Sequence, residues 1–218
     1  MRGEPGALAR LHADFAIRSR LWFRAPPFFR ALRSRVAPFL RTFPFVRVWC
    51  PACGIGEEAA GVAIVLRECG LRDGTQIYAT DADAPVIAEA RTGMYDVADL
   101  RDAEQDYRAG GGVSDLAEYF SASGALASLR PDVLARIAFI QHDLGCDGSP
   151  NEFQFIVCRD VLIDCSPIYA SRVFDLLHAS LCRFGVLAIG RSENLRMHAH
   201  RAAYECIDAE GGLYRRNP

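Results

Sequence analysis

Residues Val46 to Glu58, VRVWCPACGIGEE, constrain the fold of this chain more than any other stretch. A run rich in Val, Trp and Cys leads into a turn of small residues holding Gly54 and Gly56, and Glu57-Glu58 then open an apolar stretch with helical spacing. A strand, a glycine turn and a helix start in that order form the repeating unit of open α/β sheets, with the turn at the carboxyl edge of the strands. Gln76 to Asp81, QIYATD, repeats the strand and ends it on an acid. The spacing continues with helices over 57–69 and 84–92 and strands near 45–50, 76–80, 137–141, 153–158 and 185–190. It adds a helix over 168–182 and a closing hairpin from 203–207 and 212–216. Such alternation implies parallel strands joined by right-handed crossovers.

Two further segments frame this unit. Leu8 to Phe23 and Phe28 to Leu40 have helical spacing, separated by Pro26-Pro27 and closed near Pro38 and Pro44, so a short helical segment over 1–44 precedes a main domain over 45–218. Between about 93 and 136 the rhythm lapses around Gly110-Gly111-Gly112, which predicts an insertion at the sheet edge. All 25 basic residues are arginine, and residues 1–49 hold ten of them against Glu4 and Asp14, a balance of +8. That basic segment is equally readable as a solvated helix face or as a docking surface for an acidic partner, and no nucleic-acid-binding motif accompanies it. The eight cysteines lie mostly inside apolar runs and read as reduced thiols rather than a secreted disulfide framework. With no apolar run of roughly 20 residues and no signal-peptide core, the expectation is a cytoplasmic protein without membrane insertion.

The first turn narrows the chemistry. It lacks the third glycine of the dinucleotide fingerprint, and the charge of Glu57 and Glu58 would repel a pyrophosphate while suiting the positive end of a helix. A cationic, phosphate-free adenosine compound fits better, S-adenosylmethionine foremost. Asp81 would accept hydrogen bonds from a ribose hydroxyl pair. His142-Asp143-Leu144 and Cys158-Arg159-Asp160 follow later strands and would reach the same rim, with Asp143 able to accept from an adenine amino group. Other readings stay open: an ordinary glycine turn, a plain turn at Asp143, or a redox pair at Trp49-Cys50-Pro51-Ala52-Cys53. No metal-ligand spacing is present in the sequence.

The ordered series FRAPPFFRALR, VRVWCPACGIGEE, QIYATDAD, EARTGMYDVADL, IAFIQHDL, NEFQFIVCRDVLI and FGVLAIGRSENL resembles the CheR-type chemoreceptor glutamate methyltransferases over roughly residues 14–216. The resemblance implies a seven-stranded Rossmann-like methyltransferase sheet with a small inserted β-subdomain, S-adenosylmethionine as methyl donor, and a glutamate of a chemoreceptor or related signalling partner as acceptor. It implies cofactor contacts at Arg20, Arg24, Glu57, Asp81, Asp143, Leu144, Arg159 and Asp160, with Arg24 and Asp164 next to the transfer itself. It also implies a larger N-terminal helical domain than this chain shows. Where the family reads R-N-V-L-I-Y-F, Arg159 to Cys165 read R-D-V-L-I-D-C, so Asp160, Asp164 and Cys165 replace Asn, Tyr and Phe. An aspartate close to the methyl group would repel an incoming carboxylate. A cofactor-binding interaction module without turnover is therefore a second expectation.

Overall fold

A computed structural model describes residues 22–163, 165–193, 195 and 199–218. Arg20, Asp164 and nearly all of the expected helix over 8–23 lie outside the described residues. The chain enters through Trp22 and Phe23, both buried, into helix α1 (Pro26–Ala31). Pro26 and Pro27 form the first turn of α1, where a missing N–H costs nothing. A π-helical turn (Leu32–Val36) follows, and then helix α2 (Ala37–Leu40). The sequence closes this helix near Pro38, but the wider turn, in which the Ala37 N–H donates to the Leu32 carbonyl, lets the helical path continue around the proline.

The large sheet is built from β1 (Val46–Pro51), β2 (Thr75–Asp81), β6 (Ile137–Gln141), β7 (Phe153–Cys158), β8 (Leu181–Ile189), β9 (Tyr204–Asp208) and β10 (Leu213–Arg216). Its seven strands run in the order β6-β2-β1-β7-β8-β10-β9. The first five of that order are parallel, and β10 runs antiparallel to both β8 and β9. This confirms the expected seven-stranded α/β architecture. Strand order reverses at β1, flanked by β2 and β7, so the carboxyl edge there is the topological switch point where α/β sheets hold ligands.

Helix α3 (Glu57–Glu68) covers one face of the sheet and is apolar almost all round. Its small Ala59-Ala60-Gly61 surface admits Phe23 and Phe29, whose rings would lie 3.6 Å from a Cβ added at Gly61. The opposite face packs against helix α7 (Pro167–Ser180), with Trp49, Phe153, Ile156, Val173 and Leu177 in one buried cluster. That helix stops short of the expected residue 182. Leu181 is already extended and pairs with Phe153, so the strand captures residues that helical spacing alone would have kept.

The segment after helix α4 (Ala84–Ala90) forms a second sheet from β3 (Met94–Asp96), β4 (Phe120–Ser123) and β5 (Leu126–Leu129), antiparallel in the order β3-β5-β4. Short helix α6 (Pro131–Leu134) leads back into the large sheet. Between β3 and β4 lies helix α5 (Val97–Ala109), which the sequence reading does not anticipate because only Ala103 and Tyr107 of it are buried. Arginines of the N-terminal helical stretch satisfy its end: Arg30 Nη1 donates to the Ala109 carbonyl (2.8 Å) and Arg33 Nε to that of Gly110 (3.1 Å).

Candidate functional site at the carboxyl edge of the large sheet

Parallel pairing brings the ends of β6, β2, β1 and β7 to one rim, and each ends in polar or turn-forming residues. The turn after β1 is shaped by three left-handed residues, Ala52, Gly54 and Gly56. Gly56 is required there, since a Cβ would stand 2.7 Å from the Phe139 ring and its φ is +91°. Gly54 has nothing within 4 Å of its missing Cβ, so the turn opens onto free space. Asp81 reaches across from β2. Its Oδ2 accepts from the Gly54 N–H (3.0 Å) and its Oδ1 from the Asp83 N–H (3.1 Å). A carboxylate has about four lone-pair sites, so acceptor capacity remains for a ribose.

Arg159, at the end of β7, joins three elements. Its guanidinium pairs with Glu58 of α3, donates through Nη2 to the Arg24 carbonyl (3.1 Å), and lies over the Phe28 ring at 4.3 Å. The Arg159 side chain is only 5% exposed, so this pair is held largely out of water. Burial pushes the Glu58 carboxyl above its ordinary value, against the attraction of Arg159 and with Asp160 and Glu193 adding repulsion. Asp160 ion-pairs with Arg24 at 3.6 Å, and the Arg24 side chain is 47% exposed. The Arg24 guanidinium thus faces part of the charge that Asp160 adds at this position.

Asp160 is itself left-handed, with φ 58°. Glu193 holds it there: Oε2 accepts from the Asp160 N–H (3.0 Å) and the Gly190 N–H (2.6 Å), and Oε1 from those of Val161 (2.9 Å) and Leu162 (2.7 Å). This carboxylate ties the loop after β7 to the end of β8 and is part of the site that sequence reasoning missed. Its only signal was an acid just past a strand end.

The remaining expected residues sit as follows. Glu57 is buried at the first turn of α3, near enough to Tyr95 that its charge, after burial, raises the phenol. Asp143 is exposed and closes a turn, its Oδ1 accepting from the Gly145 N–H (2.7 Å). Leu144 is buried in the cluster under α7. Burial and neighbouring acids raise Cys50 well above its ordinary value and Cys53 to about 12, so both thiols are protonated at neutral pH. That environment is the reverse of what a reactive dithiol needs.

The donor set fits S-adenosylmethionine. An open glycine turn faces an acid with spare acceptor capacity, and the helix start carries carboxylates where a phosphate-binding turn would present bare N–H groups. Over residues 19–211 the chain matches the family described as CheR methyltransferase, SAM binding domain. It is 35% identical over 214 residues to the Cher3 protein of Pseudomonas putida (strain KT2440), which covers 98% of this chain and 78% of that protein. It is 29% identical over 209 residues to chemotaxis protein methyltransferase 1 of Pseudomonas aeruginosa, covering 89% of this chain and 72% of that one. For the chemotaxis protein methyltransferase of Listeria innocua the identity is 32% over 151 residues, 69% of this chain and 54% of the relative. The chain thus spans between about half and four-fifths of the length of these relatives. Together with a parallel sheet whose switch point carries the glycine turn and its facing acid, these matches make the chain a member of the CheR methyltransferase family with an S-adenosylmethionine-binding domain.

Proposed function

We propose that this chain is a protein-glutamate O-methyltransferase acting on helices of a chemoreceptor-like signalling protein in the cytoplasm. The observation that supports it most is the junction at Arg159, which draws the Arg24 segment, α3 and the β7 loop together at the carboxyl edge of the sheet. When bound, S-adenosylmethionine supplies a methyl group on a sulfonium, which an acceptor carboxylate can displace. A glutamate, with a reference pKa of about 4.3, is already ionised at neutral pH, so the protein needs no general base. Its task is to align the reactants and exclude water. Asp81 orients the ribose, Glu57 favours the cationic end, and Phe28 with Arg159 closes the rim. Arg24, half-exposed and loosely paired with Asp160, would meet the incoming carboxylate, a role its exposure supports.

The test is transfer of tritiated methyl groups from S-adenosylmethionine onto receptor cytoplasmic fragments, read as alkali-labile label because a glutamyl methyl ester is hydrolysed by base. Asp160→Asn with Asp164→Tyr is expected to raise incorporation by removing negative charge beside the acceptor. Alkali-stable label would place the methyl group elsewhere than on a carboxylate. S-adenosylhomocysteine binding without any transfer would favour the interaction-module reading, whose motive is the Asp160, Asp164 and Cys165 replacements.

A further inference from the structure

The opposite, amino edge of the large sheet holds a cavity of about 300 Å³ between the C-terminal half of α3, the start of β2, and α6 with the residue before β6. Leu66, Leu71 and Ile77 give it an apolar floor, and Arg67, Arg72 and Arg136 stand around it. Two of these arginines have a carboxylate partner: Arg67 pairs with Asp132 at 2.6 Å, an acid it shares with Arg130 outside the lining, and Arg136 with Asp73 at 3.0 Å. Arg72 has no carboxylate partner among the described residues, which leaves the lining one net positive charge. Thr75, only 4% exposed, lines the same cavity, and its hydroxyl has no hydrogen-bond partner among the described residues. A buried hydroxyl without a partner is uncommon in a folded protein, and a rotation of the Thr75 side chain toward the cavity would let a polar ligand atom supply one.

We propose that this cavity binds a small monocarboxylate with a compact apolar body. One unmatched arginine calls for one negative charge, and a guanidinium takes a carboxylate in a forked pair. The apolar floor calls for a branched or aromatic body rather than a bare ion. The site is separate from the rim, since Thr75 begins β2 while Asp81 ends it.

Titration calorimetry of the full chain with sodium benzoate and sodium isovalerate, against matched chloride and with inorganic phosphate as a third probe, decides the matter. Saturable binding of at least one carboxylate is expected, weakened by at least about tenfold in Arg72→Gln through loss of the charged pair and by several-fold in Thr75→Val. Both variants should bind S-adenosylhomocysteine with unchanged affinity, which also shows that they fold. Absence of saturable binding for both carboxylates, an affinity unmoved by both substitutions, or tighter binding of phosphate than of either acid would each overturn the proposal.

Discussion

Helix α3 carries a glutamate that pairs with a largely enclosed arginine side chain at each end, and the two pairs differ in everything but their chemistry. At its N-terminus Glu58 meets Arg159, with Asp160 and Glu193 close enough to oppose its ionisation. At its C-terminus Glu68, 3% exposed, pairs with Arg33 and accepts from the hydroxyls of Tyr107 and of Tyr119 (2.8 Å). The second carboxylate is surrounded by donors. It joins the N-terminal helical stretch, α3 and the inserted segment, and burial with its hydrogen bonds pushes both tyrosines up. The first is surrounded by mixed charge and sits beside an open turn. Identical residue types therefore serve as a structural tie among donors at one end of the helix, and as a junction of mixed charge beside an open glycine turn at the other.

The contrast breaks most directly at the structural end. Glu68→Ala strands a buried guanidinium and two hydroxyls, and should cost about 3–5 kcal/mol of unfolding free energy in urea titrations. At temperatures where the variant remains folded, its affinity for S-adenosylhomocysteine should stay close to that of the parent. A loss below about 1 kcal/mol would remove the distinction between the two pairs.

At the rim the effect should move from stability to binding. Arg159→Ala frees the Arg24 carbonyl and leaves Glu58 beside two other acids, and we expect S-adenosylhomocysteine to bind about ten- to a hundredfold more weakly, on the scale of one charged hydrogen-bonded contact. Unchanged affinity with a large loss of stability would make both ends of α3 structural.

The smallest expected effect concerns pH. Cys53, at the rim, has its thiol raised from 9.0 to about 12, chiefly by burial. A folded-state pKa above the unfolded one means that the native protein holds the proton more tightly, so stability is present in full below about pH 9 and is lost as pH rises toward about 12. From this thiol alone the loss between pH 9 and pH 10 should be about 1 kcal/mol. Cys53→Ala should flatten that part of the curve, and the tyrosines around Glu68 should continue the decline at higher pH. An equal slope in parent and variant would mean that the thiol titrates as it does in the unfolded chain.

Much of this site was legible from residue order. Strand, turn and helix at 46–68, an acid closing the next strand, and two later strands with polar ends are local patterns, because the periods of helix and strand and the backbone demands of glycine act within a few residues. They were sufficient to place Asp81 and Arg159 at the carboxyl edge of a parallel sheet. Other features required the tertiary structure. Which glutamate of the Glu57-Glu58 pair would meet Arg159 depends on a contact across 101 residues. Helix α5 packs a narrow stripe of Leu100, Ala103 and Tyr107 on the core, and arginines some 77–79 residues away cap its end. The helical path passes Pro38 through a π turn, and Glu193 clamps a loop it meets only after β7 and β8 have paired. Periodicity carries no information about such partners, since burial and charge compensation are set by which surfaces meet once the sheet has formed.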